Sequence, residues 1–301
     1  MKEYTDLISF MRDFQTEDDC RRFLCEQKWG DGYQCRRCGH ECSVKDRTWY
    51  HKRCQRCHYD ESCTAHTLFH KVKFSLVKAF VITYQLSTMK KGMATTEIAR
   101  QFSIKQQTAW FFKRKVQQAM KSGGTQMLFD NVEIDETVIG GAEKGSPGRS
   151  YGKKKKVQVA IEVEYPTDPS EKPKIKNANA VVIDGYSSDD LKKGIEKMID
   201  VQALVTTDGW KAYETAVGGR WHESFPSSSG ENFELIHWHI FNLKNWIRGI
   251  HHHVSLKHLH CYLQEFHYKF NRRNRIQTCP CQLLKTMTKE PWLPYKRAIE
   301  G

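Results

Sequence analysis

Val132-Glu133-Ile134-Asp135-Glu136-Thr137-Val138-Ile139-Gly140-Gly141 alternates apolar and polar side chains, with an acid in mid-run. A period of two is what a strand with one buried face requires. Just upstream, Gly123 and Gly124 close a helical part of the sequence. Downstream, a glycine-rich basic turn with Lys153 to Lys156 leads to a second strand, Val157 to Val163, and a third appears at Ala180 to Asp184. Asp189 to Met198 reads as a helix, and Ala203 to Thr207 as a fourth strand ending at Asp208. Three strands, a helix, a fourth strand and then helices predict an α/β domain over residues 125–276, a mixed sheet flanked by helices.

In a sheet of ribonuclease-H-like topology the first and fourth strands lie side by side, so Asp135 and Asp208 would converge. Carboxylates brought together repel, and a divalent cation keeps both ionised at neutral pH. Two ions about 3.5 to 4 Å apart activate an attacking oxygen and steady the leaving oxygen in a displacement at phosphorus. Asp184 and Asp189 read instead as turn or edge charges.

Residues 1–70 read as a zinc ribbon with an N-terminal helix. Cys35 and Cys38 form one Cys-x-x-Cys knuckle and Cys54 and Cys57 a second, with 15 residues between them. That spacing predicts four thiolates closing a tetrahedral, structural Zn²⁺ site. Gly39 follows the first knuckle, and Thr48, Trp49 and Tyr50 read as a strand leading into the second. Cys42 and Cys63 read as bystanders. Cys279 and Cys281, with Cys261 elsewhere, lack a matching knuckle and do not make a second metal site.

Residues 71–124 read as a helix-turn-helix module. Phe74, Leu76, Val77, Phe80, Val81, Tyr84 and Leu86 give one helix its apolar face. Thr95 or Thr96 caps the next, Ser103 marks a tight turn, and a third helix runs from about Lys105 to Met120. Ile104 and Ala109 fall inside. Lys105, Gln106, Gln107, Lys113, Arg114 and Lys115 are expected outside, where glutamines read base edges and cations hold phosphates.

Composition agrees with a nucleic-acid partner. The 301 residues carry 48 Lys and Arg against 35 Asp and Glu, a formal charge of +13. Residues 1–127 hold a basic surplus of 10 and residues 128–301 a surplus of 3, so the field comes from the front. With 28 % charged residues and 39 % hydrophobic ones, the length suits about two domains with a substantial core, and excludes a peptide hormone or a linker. No apolar run approaches the roughly 18 residues of a membrane span, and the start resembles no secretory signal. The expectation is a cytoplasmic protein with no membrane partner. Ser146 to Tyr151, Tyr165 to Asn177, Ser227 to Glu231 and the tail at 277–301 read as loops.

The order of zinc ribbon, helix-turn-helix, Glu-Ile-Asp-Glu-Thr with Gly-Gly behind it, and Thr-Asp-Gly-Trp-Lys-Ala-Tyr resembles the bacterial insertion-sequence transposases of the ISXO-two-like group. Asn242-Leu243-Lys244-Asn245-Trp246, Gly249, His251 to Val254, and the segment from His258 through Tyr262, Glu265, Phe266 and Asn271 to Arg273 resemble that group too. The resemblance implies a cut-and-join enzyme of the DDE type that uses Mg²⁺ and acts on the element's own terminal inverted repeats. Carried over by position, Asp135 and Asp208 match the first two metal-binding acids. The third position varies in the group among Glu, His and Asn. Counting back seven residues, two helical turns, from Lys244 lands on His237, the expected third ligand. An imidazole there suits Mn²⁺ at least as well as Mg²⁺. Glu265 and Asn242 are the rivals. Lys244 resembles the lysine that contacts phosphate near the scissile bond.

These readings predict a transposase that cleaves a phosphodiester at the element end and joins the 3′ hydroxyl to target DNA. Double-stranded DNA is its partner, and pairing of two ends implies a homodimer or higher oligomer. An inactive DNA-binding derivative and a nuclease that cannot rejoin strands are the competing readings.

Overall fold

The computed structural model describes residues 2–45, 48, 50–122, 127–140, 154–227, 232–251 and 253–300. Of the sequence expectations, Trp49, Lys153, the glycine pair 123–124 and the loops at 146–151 and 228–231 lie outside the described residues. The chain divides into two units, Met1–Gly123 with Arg275–Gly301, and Gly124–Asn274.

The first unit opens with two short helices whose starts are specified locally. Helix α1 (Leu7–Asp13) is capped by Asp6 and Ser9 reciprocally, and α2 (Glu17–Trp29) by Thr16 and Asp19 in the same way. A three-stranded antiparallel sheet follows, β1 (Ser43–Lys45), β2 (His51–Cys54) and β3 (Asp60–Ser62). Then come α3 (Leu76–Thr88), α4 (Thr95–Phe102) and α5 (Gln106–Ser122). Helix α3 is buried almost all round, so it forms the middle of the unit. Phe80 on α3 stacks on Phe14 at 4.9 Å and meets Phe69 at 5.5 Å.

Two expectations for the helical module need correction. Helix α4 starts after Ala94 with no side-chain cap, so Thr95 and Thr96 lie inside the helix. Ser103 does form the turn, in the left-handed region at φ 49°. Lys113, Arg114 and Lys115, expected outside, are buried. Their stems run along apolar surface while their heads find local acceptors: Lys113 donates to the Met93 carbonyl at 2.7 Å, and Arg114 to Gln117 at 2.9 Å. Lys105, Gln106 and Gln107 are exposed as expected.

The tail read as loop is also helical. It forms α10 (Cys279–Lys289) and α11 (Tyr295–Glu300), because Leu283, Leu284, Met287 and Ala298 need burial. Helix α10 packs on α3, where the Thr83 hydroxyl meets Met287 Sδ at 3.7 Å.

The second unit is a three-layer α/β structure. Its elements are β4 (Asn131–Ile139), β5 (Lys155–Glu164), β6 (Lys174–Ile183), α6 (Ser188–Met198), β7 (Leu204–Asp208), α7 (Ala212–Ala216), β8 (Trp221–Phe225), α8 (Glu234–Ile250) and α9 (Leu256–Phe270). The sheet order is β6-β5-β4-β7-β8, with β4, β5 and β6 antiparallel and β4, β7 and β8 parallel. One face buries Val132, Ile134, Ala160 and Val205 with Leu191, Ile195 and Tyr213 of α6 and α7. The other buries Ile139, Val157, Val159 and Ile161 with Ile236, Ile240 and Leu243 of α8 and Leu259 and Leu263 of α9. Asn271, just past α9, locks that layer to β6: its side chain exchanges two hydrogen bonds with the Ala178 backbone, 2.8 and 2.9 Å.

The sheet departs from the sequence reading at its edges. Strand β6 starts at Lys174, inside the segment read as loop, because its outer residues are polar edge positions that leave no apolar alternation. Strand β8 was not anticipated; Trp221 to Phe225 is short and mostly exposed. Lys155 and Lys156 belong to β5 and not to a turn, and Lys156 donates to the Asp184 carbonyl at 2.9 Å.

Candidate active site and metal centre

Parity places the two candidate aspartates on the same face of the sheet. Along β4, Val132 and Ile134 point into the α6/α7 layer, so Glu133, Asp135 and Thr137 point the other way, toward α8. Strands β4 and β7 pair in parallel with Asn131 opposite Leu204 and Glu133 opposite Thr206. The paired segment ends at Glu133 and Thr206, and Asp135 and Asp208 each follow two residues further along, on the same face of the sheet. Asp208 closes its strand, where its carboxylate accepts from the Trp210 N–H at 3.3 Å. Asp135 accepts from the Glu136 N–H at 2.7 Å.

Helix α8 supplies the facing groups. Ile236, Ile240, Leu243 and Ile247 hold it to the sheet, and the adjoining face carries His237, Lys244 and Arg248. His237 Nε2 lies 3.4 Å from Asp135 Oδ2. Burial draws the Lys244 ammonium below its ordinary value, with Arg248 and Lys154 adding to the effect and Asp135 opposing it. Both residues of the seven-residue step thus sense the same carboxylate.

The structure treats the rivals differently. Glu265 is fully buried on α9 and pairs with Lys269 at 2.9 Å, and Asn242 is exposed on α8. Glu133 was overlooked. Burial pushes its carboxyl up to about 7, against the Ile236 N–H and His237, which pull it down. Its Oε2 is buried without a hydrogen-bond partner among the described residues. The signal was available in its place two residues before Asp135 in one strand.

Oxygen donors from Asp135 and Asp208 with one imidazole make a donor set suited to Mg²⁺ or Mn²⁺. The ligand atoms of Asp135, Asp208 and His237 do not all come within 4.8 Å of one another; among the described residues only the four knuckle thiols form such a group.

Those thiols sit on two matching knuckles. Gly39 N–H donates to the Cys35 carbonyl and His58 N–H to the Cys54 carbonyl, and both donors have positive φ, 72° and 55°. Cys35 N–H bonds the His40 carbonyl as Cys54 N–H bonds that of Tyr59, at 2.9 and 3.0 Å. Cys35 and Cys57 sulfurs lie 3.5 Å apart, and those of Cys38 and Cys54 3.6 Å. A tetrahedron with Zn–S bonds of about 2.3 Å has edges of about 3.8 Å, so the cluster can bind zinc and fits an N-terminal zinc ribbon. Cys279 and Cys281 are buried apolar residues of α10.

Residues 127–271 match the family model of the ISXO2-like transposase domain. The chain carries an ISXO2-like transposase domain. The matched span runs from just before β4 to the Asn271 that fastens α9 to β6, so every residue of the carboxylate site belongs to the transposase domain. No curated protein matches the chain. Among the described residues no helix is long and apolar enough to cross a membrane.

Proposed function

We propose that this chain is a transposase that binds the ends of its insertion sequence and carries out metal-dependent strand cleavage and strand transfer. The observation that supports the reading is that Asp135 and Asp208 share one face of neighbouring strands, each two residues past the last β4–β7 pair, with His237 at 3.4 Å from Asp135, inside a matched transposase domain. The sheet order β6-β5-β4-β7-β8, three antiparallel strands followed by two parallel ones, supports a ribonuclease-H-like assignment.

Asp135, Asp208 and His237 would hold Mg²⁺ or Mn²⁺, which when bound polarises a phosphoryl oxygen and acidifies a water. The chain's own contribution is positioning. The two aspartates extend from the paired segment of β4 and β7, and that backbone frame would limit the rearrangement needed as charge develops. Lys244, half-buried two turns from His237, offers an ammonium to the phosphate being cleaved, and Arg248 extends that positive edge by one turn. Glu265, sealed against Lys269, serves the packing of α9. In the first unit, α4, the Ser103 turn and α5 form the proposed helix-turn-helix, with Lys105, Gln106 and Gln107 presented to DNA. The zinc ribbon and this module recognise the end repeats, and two chains pair the two ends.

The test is a nicking and strand-transfer assay on duplexes carrying the inverted repeats that flank the gene. Wild-type protein with Mg²⁺ or Mn²⁺ should yield nicked and joined products, and Asp135→Asn and Asp208→Asn should bind the duplex without cutting it. Cutting by either variant refutes the assignment. Nicks without joined products would make the protein a nuclease, and binding without cutting by the wild type an inactive derivative.

A further inference from the structure

The first unit contains a cleft that the DNA-cutting site does not use. It has a volume of about 320 Å³ and is lined by Lys71, Lys73, Phe74, Phe111, Lys115 and Trp292, among others. That volume lies within the usual range of small-ligand sites, about 300 to 1,000 Å³. Among the described residues that line it, none is acidic.

Two features specify what the cleft holds. The first is positive charge without a counter-charge. Lys115 is only 1 % exposed, and among the described residues its ammonium has one hydrogen-bond acceptor, the His70 carbonyl at 2.7 Å, with the Phe111 ring 4.9 Å away. Burial alone draws it down to about 8. An ammonium removed from water and left without an anion is costly, and an anion entering the cleft offsets that cost. Lys71 and Lys73, both exposed, lie at the same cleft. The second is an aromatic lining. Trp292 stands against the His70 ring at 5.0 Å and under the Lys71 ammonium at 5.0 Å, and Phe111 meets Tyr295 edge-on at 5.1 Å. Aromatic faces beside cations are what a nucleotide requires: stacking for the base and ammonium groups for the phosphate.

We infer that this cleft binds a single unpaired nucleotide of the DNA, its phosphate against Lys115, Lys71 and Lys73 and its base against the Trp292 and Phe111 wall. The inference rests on the proposal that α5 faces DNA, because Gln107 and Thr108 of α5 form part of the same cleft beside the exposed Lys105 and Gln106. Gln107 is already fixed there, donating to the Tyr295 hydroxyl at 2.6 Å. A duplex held on α5 would thus offer a frayed or extrahelical nucleotide to a preformed pocket, while paired bases stay outside.

The experiment uses the full-length, zinc-loaded chain and three probes: deoxyadenosine monophosphate, inorganic phosphate and deoxyadenosine, each titrated by calorimetry. A fourth arm compares blunt duplex DNA with the same duplex carrying a one-nucleotide 5′ extension. The nucleotide should bind at least about tenfold more tightly than phosphate or nucleoside alone, as expected when stacking and charge act together. Trp292→Leu and Lys73→Ala should each weaken it by about tenfold, and Lys115→Met more. The single-nucleotide extension should tighten duplex binding, and Trp292→Leu should abolish that gain. Lys73 is exposed, so its variant tests the site without disturbing the core. Phosphate binding as tightly as the nucleotide, or nucleotide binding unaffected by both Trp292→Leu and Lys73→Ala, overturns the inference. Failure of the nucleotide arm with intact blunt-duplex binding refutes the pocket alone, whereas nucleotide binding without duplex binding refutes the reading of α5 as a DNA-facing helix.

Discussion

Acidification should loosen helix α8, the element that carries His237 and Lys244, through a histidine pair on its opposite side. His267 on α9 donates from Nδ1 to the Leu263 carbonyl at 2.7 Å, so its Nε2 must accept. His239 on α8 therefore donates from its Nε2 across the 3.1 Å contact. Both rings are neutral in this arrangement, and protonating His267 at Nε2 sets N–H against N–H in a buried site. Burial lowers His267 from 6.5 to about 4, although its bond to Leu263 favours the charged form. His239 is lowered by burial and by His267 and Arg273. Between pH 6.5 and 4 the unfolded chain then binds the proton that native His267 refuses. Stability from this residue is complete above 6.5 and drains away as pH falls toward 4, by on the order of 3 kcal/mol in all. His267→Gln keeps an acceptor for His239 and removes the titration. Urea unfolding of wild type and variant at pH 7, 6, 5 and 4 isolates the effect, because the carboxylates titrate in both proteins. The wild type should lose roughly 2 to 3 kcal/mol more than the variant over that span. Equal losses in the two proteins, or a His267 imidazole seen by NMR to titrate near 6.5, would refute the reasoning.

Three further outcomes follow from the packing and the metal centre. Gly194→Ala puts a methyl on α6 into the Gln158 amide oxygen, 3.1 Å from Gln158 Cδ and 3.2 Å from Val181 Cγ2; thermal melts should show a loss of about 1 to 3 kcal/mol despite the better helix former. Cys54→Ser should reduce bound zinc from one per chain to nearly none by elemental analysis, and retention of full zinc would show that the knuckles do not share an ion. Glu265→Gln leaves Lys269 facing a neutral partner in a buried site and should lower stability by about 3 kcal/mol, yet the folded protein should still bind Mn²⁺ with the wild-type affinity.

How much was legible in the sequence follows the physics of burial. Strand β4 declares itself because one face is buried and the other is not, and its alternation located both Asp135 and the overlooked Glu133. The knuckles were legible because metal spacing is local. Strand β8 and the start of β6 were not, since edge strands need no apolar face. Lys113, Arg114 and Lys115 misled for a related reason: charge was taken for exposure, whereas carbonyl acceptors and aromatic rings let these cations lie buried. The step from Lys244 to His237 relied on helical period, which holds along α8; that His237 would meet Asp135 depended on tertiary packing that spacing does not encode.

The account turns on whether Asp135 and Asp208 jointly hold a divalent cation. Anomalous diffraction from a crystal of the protein grown with Mn²⁺ measures this directly. The account predicts a peak bonded to both carboxylates at about 2.1 to 2.2 Å, with His237 beside it. A well-ordered site with no peak between the two aspartates, or with the ion held elsewhere in the domain, would contradict it.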